Sequence, residues 1–541
     1  MKIWKFFWLL LIFAVCTLTA ASSEAAIVTI SQHYNGNAYG NSIDGTGKSP
    51  DAVPSNNALN VINGGRVADG HAYGAYSIND ATGNNSVNII NGAVELDIIG
   101  GYSYNGVAEN NSVDIRGGIV NKDVYGGWSY NAAINNNVTV SGGTVNMEVR
   151  GGYSYNGTSM GNAIVISESM MSMDIYGGVS NSTAGHNKVN ISDSTVSRDT
   201  YGGLSYDGTA VSNSVTISGS TAHWNVIGGW SKEAAMSNSV TISNSTVNME
   251  IRGGFSYDSM ATGNRVFINS GTSKSNIYGG YSFGIAGDNR VVINGGTMNK
   301  DIYGGLSNNN AAKNNSVTIN GGTLNWNVIG GWSNGTADNN SVIINGGTIN
   351  MNVFGGFSYD GTAMNNTVTI SGDPTFGANT ILYGGFRILS GGGADAFTGN
   401  TLNLHSAKVT TAGLRSFQNL NFFLPSDLPA NGTMLTVTGN IDLSGTNIDI
   451  TGMDTAGLQP GDSITLISTA GGITGTPAVP LDTDIVTSSG STWRFSLSPE
   501  VLPEYLIATL TVLLTDEPDI DEVISVISVI SEDVEEVFYE M

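Results

Sequence analysis

The sequence predicts an all-β fold, a parallel β-helix (solenoid) of about fourteen coils closed by a β-rich C-terminal cap. Three observations carry this. Gly-Gly pairs begin at 100, 126, 151, 177, 202, 228, 253, 279, 304, 330 and 355, a spacing that alternates between 26 and 25 residues. Within each unit, short runs such as Val317-Thr318-Ile319 alternate apolar and polar residues, which is the two-residue period of a strand. Proline is missing between Pro54 and Pro374, as expected where strands pair on both sides and a lost N–H would remove a ladder hydrogen bond. A unit of this length with two or three strands cannot bury its apolar side alone, but it can when stacked on copies of itself.

Residues 1–25 read as a secretory signal peptide. Lys2 and Lys5 accompany an apolar run from Phe6 to Val15, small residues follow, and cleavage is placed after Ala25. The run is too short to span a bilayer, and no later segment reads as transmembrane, so the mature chain is expected to be exported. Cys16 is the only cysteine and leaves with the leader. Disulfides and thiolate metal sites are therefore not expected in the mature chain.

Residues 26–56 form an N-terminal cap, and 57–405 the repeat array. A clean unit reads Asn315-Ser316-Val317-Thr318-Ile319-Asn320-Gly321-Gly322, then Leu324-Asn325-Trp326-Asn327-Val328-Ile329-Gly330-Gly331-Trp332-Ser333. We read it as two alternating runs split by Gly-Gly turns. An Asn opens each unit, including Asn57, Asn111, Asn137, Asn213, Asn315 and Asn400. A longer period lies over this one. Trp128, Trp230 and Trp332 stand 102 residues apart, as do Trp224 and Trp326, and Met147-Glu148-Val149-Arg150 returns as Met249-Glu250-Ile251-Arg252. A four-coil block has been duplicated.

Residues 406–515 keep strand-like runs without the strict unit and read as the end of the helix. Residues 516–541 form an acidic tail with ten carboxylates and no Lys or Arg. The formal net charge of −24 repels phosphate, so nucleic acid is excluded as a partner.

The Gly-Gly-aromatic-Ser coils, the Asn-Ser-Val-x-Ile strands and the leading signal peptide resemble passenger domains of Gram-negative autotransporters, especially adhesin-like ones. Phe417-Gln418-Asn419-Leu420-Asn421-Phe422-Phe423-Leu424-Pro425, Met434-Leu435-Thr436-Val437 and Pro460-Gly461-Asp462-Ser463-Ile464-Thr465-Leu466 look like the segment that closes such passengers. The resemblance covers most of 57–515. It implies a right-handed β-helix at the cell surface or outside the cell, in contact with a host or cell-surface glycan or protein. The residues after 515 do not supply the outer-membrane β-barrel that ends such families, so a separate outer-membrane translocator is a further possible partner. Without one the chain would stay in the periplasm.

Candidate chemistry is sparse. The serine after each Gly-Gly-x, for example Ser129, Ser231 and Ser333, lies in no Gly-x-Ser-x-Gly elbow and has no recurring His beside it. We expect a structural ladder of hydroxyls there, and a ladder of amides from Asn111, Asn213, Asn315 and their counterparts. The five histidines show no metal or triad spacing. Acids recur at one slot (Asp97, Asp123, Asp174, Asp301) but are scattered over different coils. No catalytic residue, metal or cofactor is expected.

The residue before each Gly-Gly forms an outward stripe, with Tyr125, Arg150, Tyr176, Tyr201, Arg252, Tyr278, Tyr303 and Tyr383 as candidate binding residues. A second series is Tyr104, Tyr130, Tyr155, Tyr206, Tyr257 and Tyr359. Such rows either contact sugars or proteins or simply brace neighbouring strands. The expected function is that of an exported, non-enzymatic, adhesin-like passenger making multivalent contacts. The alternatives are a β-helix polysaccharide lyase or glycoside hydrolase, and a structural surface filament.

Overall fold

The computed structural model describes residues 27–40, 55–388, 395–453, 458, 461–475, 477–478, 482–486, 492–497 and 505–514. The predicted signal peptide with Ala25, part of the N-terminal cap and the acidic tail lie outside the described residues. Those described contain strands and no helix.

The fold is a parallel β-solenoid. Each regular coil contributes four strands, more than the two or three expected. In the coil that opens at Asn315 they are Ser316–Ile319, Thr323–Leu324, Val328–Ser333 and Thr336–Asp338. Strands at the same place in successive coils pair in parallel and in register, so that Val317 faces Val291 on one side and Val342 on the other. The result is four stacked sheets of 17, 14, 15 and 11 strands, called here sheets 1 to 4 in the order the chain visits them. Sheet 3 gives about fifteen turns, close to the fourteen predicted.

One apolar column runs the length of the solenoid. Val317, Ile319, Leu324 and Val328 point into it from sheets 1, 2 and 3 and are at most 1% exposed. Each such side chain contributes roughly 1.5–3 kcal/mol relative to an exposed one, and the next coil repeats the set.

The Gly-Gly pairs of sheet 3 are not turns. Gly330 and Gly331 sit in the middle of the strand Val328–Ser333, and every equivalent pair does the same. The reason is steric. A Cβ on Gly330 would lie 2.3 Å from the carbonyl oxygen of Gly355 in the next coil, and one on Gly331 would lie 2.4 Å from the Asn340 amide. The first glycine permits coil-to-coil contact and the second makes room for a side chain. Turns fall elsewhere. Gly322 (φ 94°) turns the chain into sheet 2, and Asn314 (φ 57°) turns it from sheet 4 into sheet 1. The position of Asn314 needs the left-handed region, which Asn tolerates and Gly prefers. Asn339 and Asn365 fill it in other coils, as do Gly161, Gly263 and Gly399.

After Leu404 the pattern changes. Sheet 1 continues through Asn419–Leu424 and Asn447–Met453, with a register shift at Phe422/Phe423. A six-stranded sheet begins in parallel at Val409–Thr411, Thr433–Val437 and Ser463–Thr469. It ends antiparallel through Tyr505–Leu514, Thr492–Leu497 and Asp482–Val486. This is the β-rich cap.

Candidate binding face

The outer side of sheet 3 carries the aromatic residues. Alternation is interrupted at Gly-Gly, so residues on both sides of the pair face outward. The row before the pair holds the predicted stripe. The row after it holds Tyr102, Trp128, Tyr153, Trp230, Phe255, Tyr281, Trp332 and Phe357. This second row was not singled out from the sequence, although the 102-residue tryptophan repeat belongs to it.

The predicted stripe lies on the outer side but is largely covered. Tyr278 and Tyr383 are buried, and Tyr125, Tyr176, Tyr201 and Tyr303 are half-buried. Tyr176 stacks on Tyr201 with ring centroids 5.1 Å apart, Tyr278 on Tyr303 at 5.0 Å, and Phe354 on Tyr383 at 4.7 Å. In the second row Tyr76, Tyr102 and Trp128 stack at 4.7 and 4.4 Å with planes within 7° of parallel. Rings stacked along the rod cover each other's faces and leave mainly their edges to solvent. Val179, Leu204 and Leu306 interrupt this row and divide it into blocks.

The polar ends of the stripe are also engaged. The Tyr125 hydroxyl donates to Asp123 (2.9 Å), Tyr176 to Asp174 (3.2 Å), Tyr201 to Asp199 (3.1 Å) and Tyr303 to Asp301 (3.2 Å). Burial pushes the phenols of Tyr176, Tyr201 and Tyr303 well above the usual tyrosine value, and their aspartates push the same way. Burial is the largest cause of the rise at Tyr102, to about 12, and the neighbouring Tyr76 and Tyr104 push the same way. Arg150 is ion-paired with Glu148 and with Asp123 (3.3 Å), donates to the Tyr125 hydroxyl at 2.6 Å, and lies 5.0 Å from the Tyr125 ring centroid. Arg252 pairs with Glu250 and lies 4.9 Å from the Phe255 centroid. Neither guanidinium projects freely into solvent.

The residue two places earlier is matched to the stripe residue in most coils. Asp precedes Tyr at 123/125, 174/176, 199/201 and 301/303, Glu precedes Arg at 148/150 and 250/252, and Asn precedes Ile or Phe at 225/227, 327/329 and 352/354; Asp97 before Ile99 and Asn276 before Tyr278 depart from this. The same slot forms its own ladder: the Glu148 N–H donates to Asp123, Asp199 N–H to Asp174 and Asn327 N–H to Asp301, at 2.9–3.0 Å. The acids therefore hold backbone and phenols together and do not gather into a cluster. Among the described residues no group of three His, Cys, Asp or Glu could hold a metal ion.

The amide and hydroxyl series are placed at two corners. The Nδ2 of Asn315 donates to the Asn340 Oδ1 at 3.0 Å and to the Ala286 carbonyl at 2.9 Å, while the Asn315 Oδ1 accepts from Asn289 Nδ2 and backbone N–H. Asn111 and Asn213 repeat this. In one coil the rung is Asn136 and not Asn137; Asn137 is the half-buried first residue of its strand. Ser129 and Ser333 donate to the carbonyls of Gly106 (2.8 Å) and Asn310 (3.0 Å) in the preceding coil, and Ser231 does so to Gly208. All three serines are fully buried, so each hydroxyl is a strut between coils.

The accessible aromatic groups lie beside the stripe. Tyr104, Tyr155, Tyr206, Tyr257 and Tyr359 are 42–53% exposed where sheet 3 ends. At its other edge Trp224 and Trp326 are exposed, with Arg198 and Lys300 placed 5.7 and 4.1 Å from their ring centroids. Comparison with protein-family models, curated proteins and solved structures finds no match to this chain.

Proposed function

We propose that this chain is an exported, non-enzymatic, adhesin-like β-helix passenger that binds a glycan or protein surface through many similar weak contacts. The observation that carries this reading is the exposed tyrosine row at the edge of sheet 3, in which Tyr104, Tyr155, Tyr206, Tyr257 and Tyr359 occupy alternate coils, with Asn308 in place of one member. Equivalent side chains held at fixed spacing bind a repetitive surface with avidity that no single contact provides. The route to the surface would be the signal peptide followed by a separate outer-membrane translocator.

Two experiments test it. Fractionation with protease shaving of intact cells, read by a blot against residues 57–400, is expected to find the chain at the surface or in the medium; confinement to the periplasm would overturn the passenger reading. Binding of the purified rod to cells or a glycan array is expected to fall when Tyr104, Tyr155, Tyr206, Tyr257 and Tyr359 are replaced by Ser. Undiminished binding would move the contact away from sheet 3. A set at Tyr176, Tyr201, Tyr278 and Tyr303 separates the covered stripe from the exposed row.

A further inference from the structure

The alternation of 26 and 25 residues has its cause at one corner of the rod. Between sheet 3 and sheet 4 the chain turns through three residues in one coil and two in the next. Tyr104-Asn105-Gly106 separates the strands Ile98–Ser103 and Val107–Glu109, whereas only Tyr130-Asn131 separates Val124–Ser129 from Ala132–Ile134. The same exchange recurs at Tyr155-Asn156-Gly157 against Asn181-Ser182, and at Tyr206-Asp207-Gly208 against Lys232-Glu233. The long corner thus holds the extra residue of each 26-residue coil. Successive long corners start 51 residues apart, at Tyr104, Tyr155, Tyr206, Tyr257, Asn308 and Tyr359.

The corner is therefore ridged. At each long corner that begins with tyrosine, the ring is exposed, and so is the Asn or Asp that follows it. No large apolar side chain is exposed at a short corner: Tyr130 and Phe283 are half-buried, and the other places hold Asn181, Lys232 and Asn334. Four of the protruding rings rest on a neighbour. Tyr104 and Tyr155 lie against Tyr130, with centroids 5.5 and 5.1 Å apart, Tyr257 lies against Phe283 at 5.1 Å, and Tyr206 meets Trp230 edge-on at 6.5 Å. These contacts fix the rings before any ligand arrives. The ridges recur every two coils, or about 9.6 Å at the spacing of paired strands.

We propose that this corner binds an extended β-1,4-linked polysaccharide of the glucose or N-acetylglucosamine type, laid along the rod with one disaccharide to each pair of coils. This deepens the adhesin-like reading and rests on it, since both use the same tyrosines. In such a chain the glycosidic bonds are equatorial, each sugar is turned over relative to the last, and the same face returns at every second ring. The advance per sugar is close to one coil, so a sugar that meets one tyrosine is followed, two sugars on, by another that meets the next. Its C–H face packs on the aromatic ring, while the Asn or Asp beside that ring bonds the hydroxyls at the ribbon's edge. A protein strand laid the same way repeats every two residues, about 6.6–6.8 Å, and falls out of register with the ridges. A phosphate polymer would be repelled by Asp207, Asp258 and Asp360.

Calorimetric titration of the full chain with cellohexaose, hexa-N-acetylchitohexaose, maltohexaose and laminarihexaose, each up to about 5 mM, is the test. At least one of the two β-1,4 hexaoses is expected to bind about tenfold or more tighter than the α-1,4 and β-1,3 hexaoses. Replacing the five tyrosines by Ser is expected to remove that advantage. A hexaose covers three long corners, and every run of three consecutive tyrosines includes Tyr206. Tyr206→Ser is therefore expected to weaken binding by itself. Adding Asn181→Tyr restores the number of rings but sets one a coil out of place, and it is expected not to recover the loss. Equal binding of all four hexaoses, or of none, would overturn the inference. So would recovery by Asn181→Tyr, or a preference that survives loss of the five tyrosines. Tyrosine-dependent binding to cells without binding of either β-1,4 hexaose would assign the row to a protein or another glycan, overturning this inference and leaving the adhesin-like reading in place.

Discussion

The array and its C-terminal cap solve the same packing problem with different materials. In the array the apolar column is filled by Val, Ile, Leu, Met and Ala, with the half-buried Phe376 packed against it near the array's end; the cap then buries Phe417, Phe422 and Phe495. From Asn85 to Asn366 the array coils repeat at 25 or 26 residues, whereas successive sheet 1 strands in the cap start 18 and then 28 residues apart. Array polar groups are satisfied by copies of themselves one coil away. The cap cannot do this, because each coil has a different neighbour, so it fills space with larger side chains and turns antiparallel. Identity supports a long structure, and variety is needed to stop one.

This contrast can be tested first with glycine. In sheet 3, Gly330→Ala is expected to destabilise the rod by about 3 kcal/mol or more, since the added carbon meets backbone that cannot move. Gly413, in the last strand of the same sheet, would place its Cβ 3.6 Å from the Ile381 side chain, an ordinary contact. Gly413→Ala is expected to be neutral or mildly stabilising. Urea melts followed by circular dichroism measure both, and equal losses would break the contrast.

The next largest effect is expected at the amide ladder. Asn315→Leu leaves the Asn289 donors and the Ala286 carbonyl without partners, a cost of about 2–3 kcal/mol in the same melts. Ser444, an exposed cap residue bonded only to Asp442, is expected to tolerate Ala with under about 0.5 kcal/mol lost.

A smaller effect tests the matched slots. Glu250→Asn removes the partner of Arg252, and about 1–2 kcal/mol is expected to be lost. Adding Arg252→Ile reproduces the Asn225/Ile227 pair of the preceding coil and is expected to recover most of it. A double-mutant cycle with no coupling would show that the slots are independent.

The last prediction concerns alkali. The buried phenols bind their protons more tightly in the folded state, so their contribution is complete below the unfolded tyrosine value near 10. It is lost as pH rises through about 12 at Tyr102, and higher still at Tyr176, Tyr201 and Tyr303. Near-ultraviolet tyrosinate absorbance is expected to rise together with loss of β-structure in the array. The ladder tyrosines all lie before residue 388, so limited proteolysis is expected to cut the array before the cap.

Much of this was legible in the sequence because the array repeats. A position that is always Val or Ile, as at Val317 and Ile319, is an inward position, and the proline gap follows from strands paired on both sides. The meaning of Gly-Gly was less legible. Glycine marks both turns and close approach, and only the neighbouring coil shows that Gly330 serves the second. Asn137 was chosen over Asn136 for a related reason: three adjacent asparagines look alike until one of them meets Asn111. The stripe shows the limit of alternation. It correctly gave the side of the sheet, but cover came from the second row and from Asp and Glu two residues earlier.

The hydrogen bonds of all four sheets, and those of the asparagine ladder, run along the rod and not across it. Under tension applied at the two ends, each junction between coils therefore carries the full load in series. The rod is expected to lengthen in discrete steps, one coil at a time, each releasing roughly 85 Å of chain. A cell or particle tethered through such a rod would be held by something that yields in instalments before it lets go.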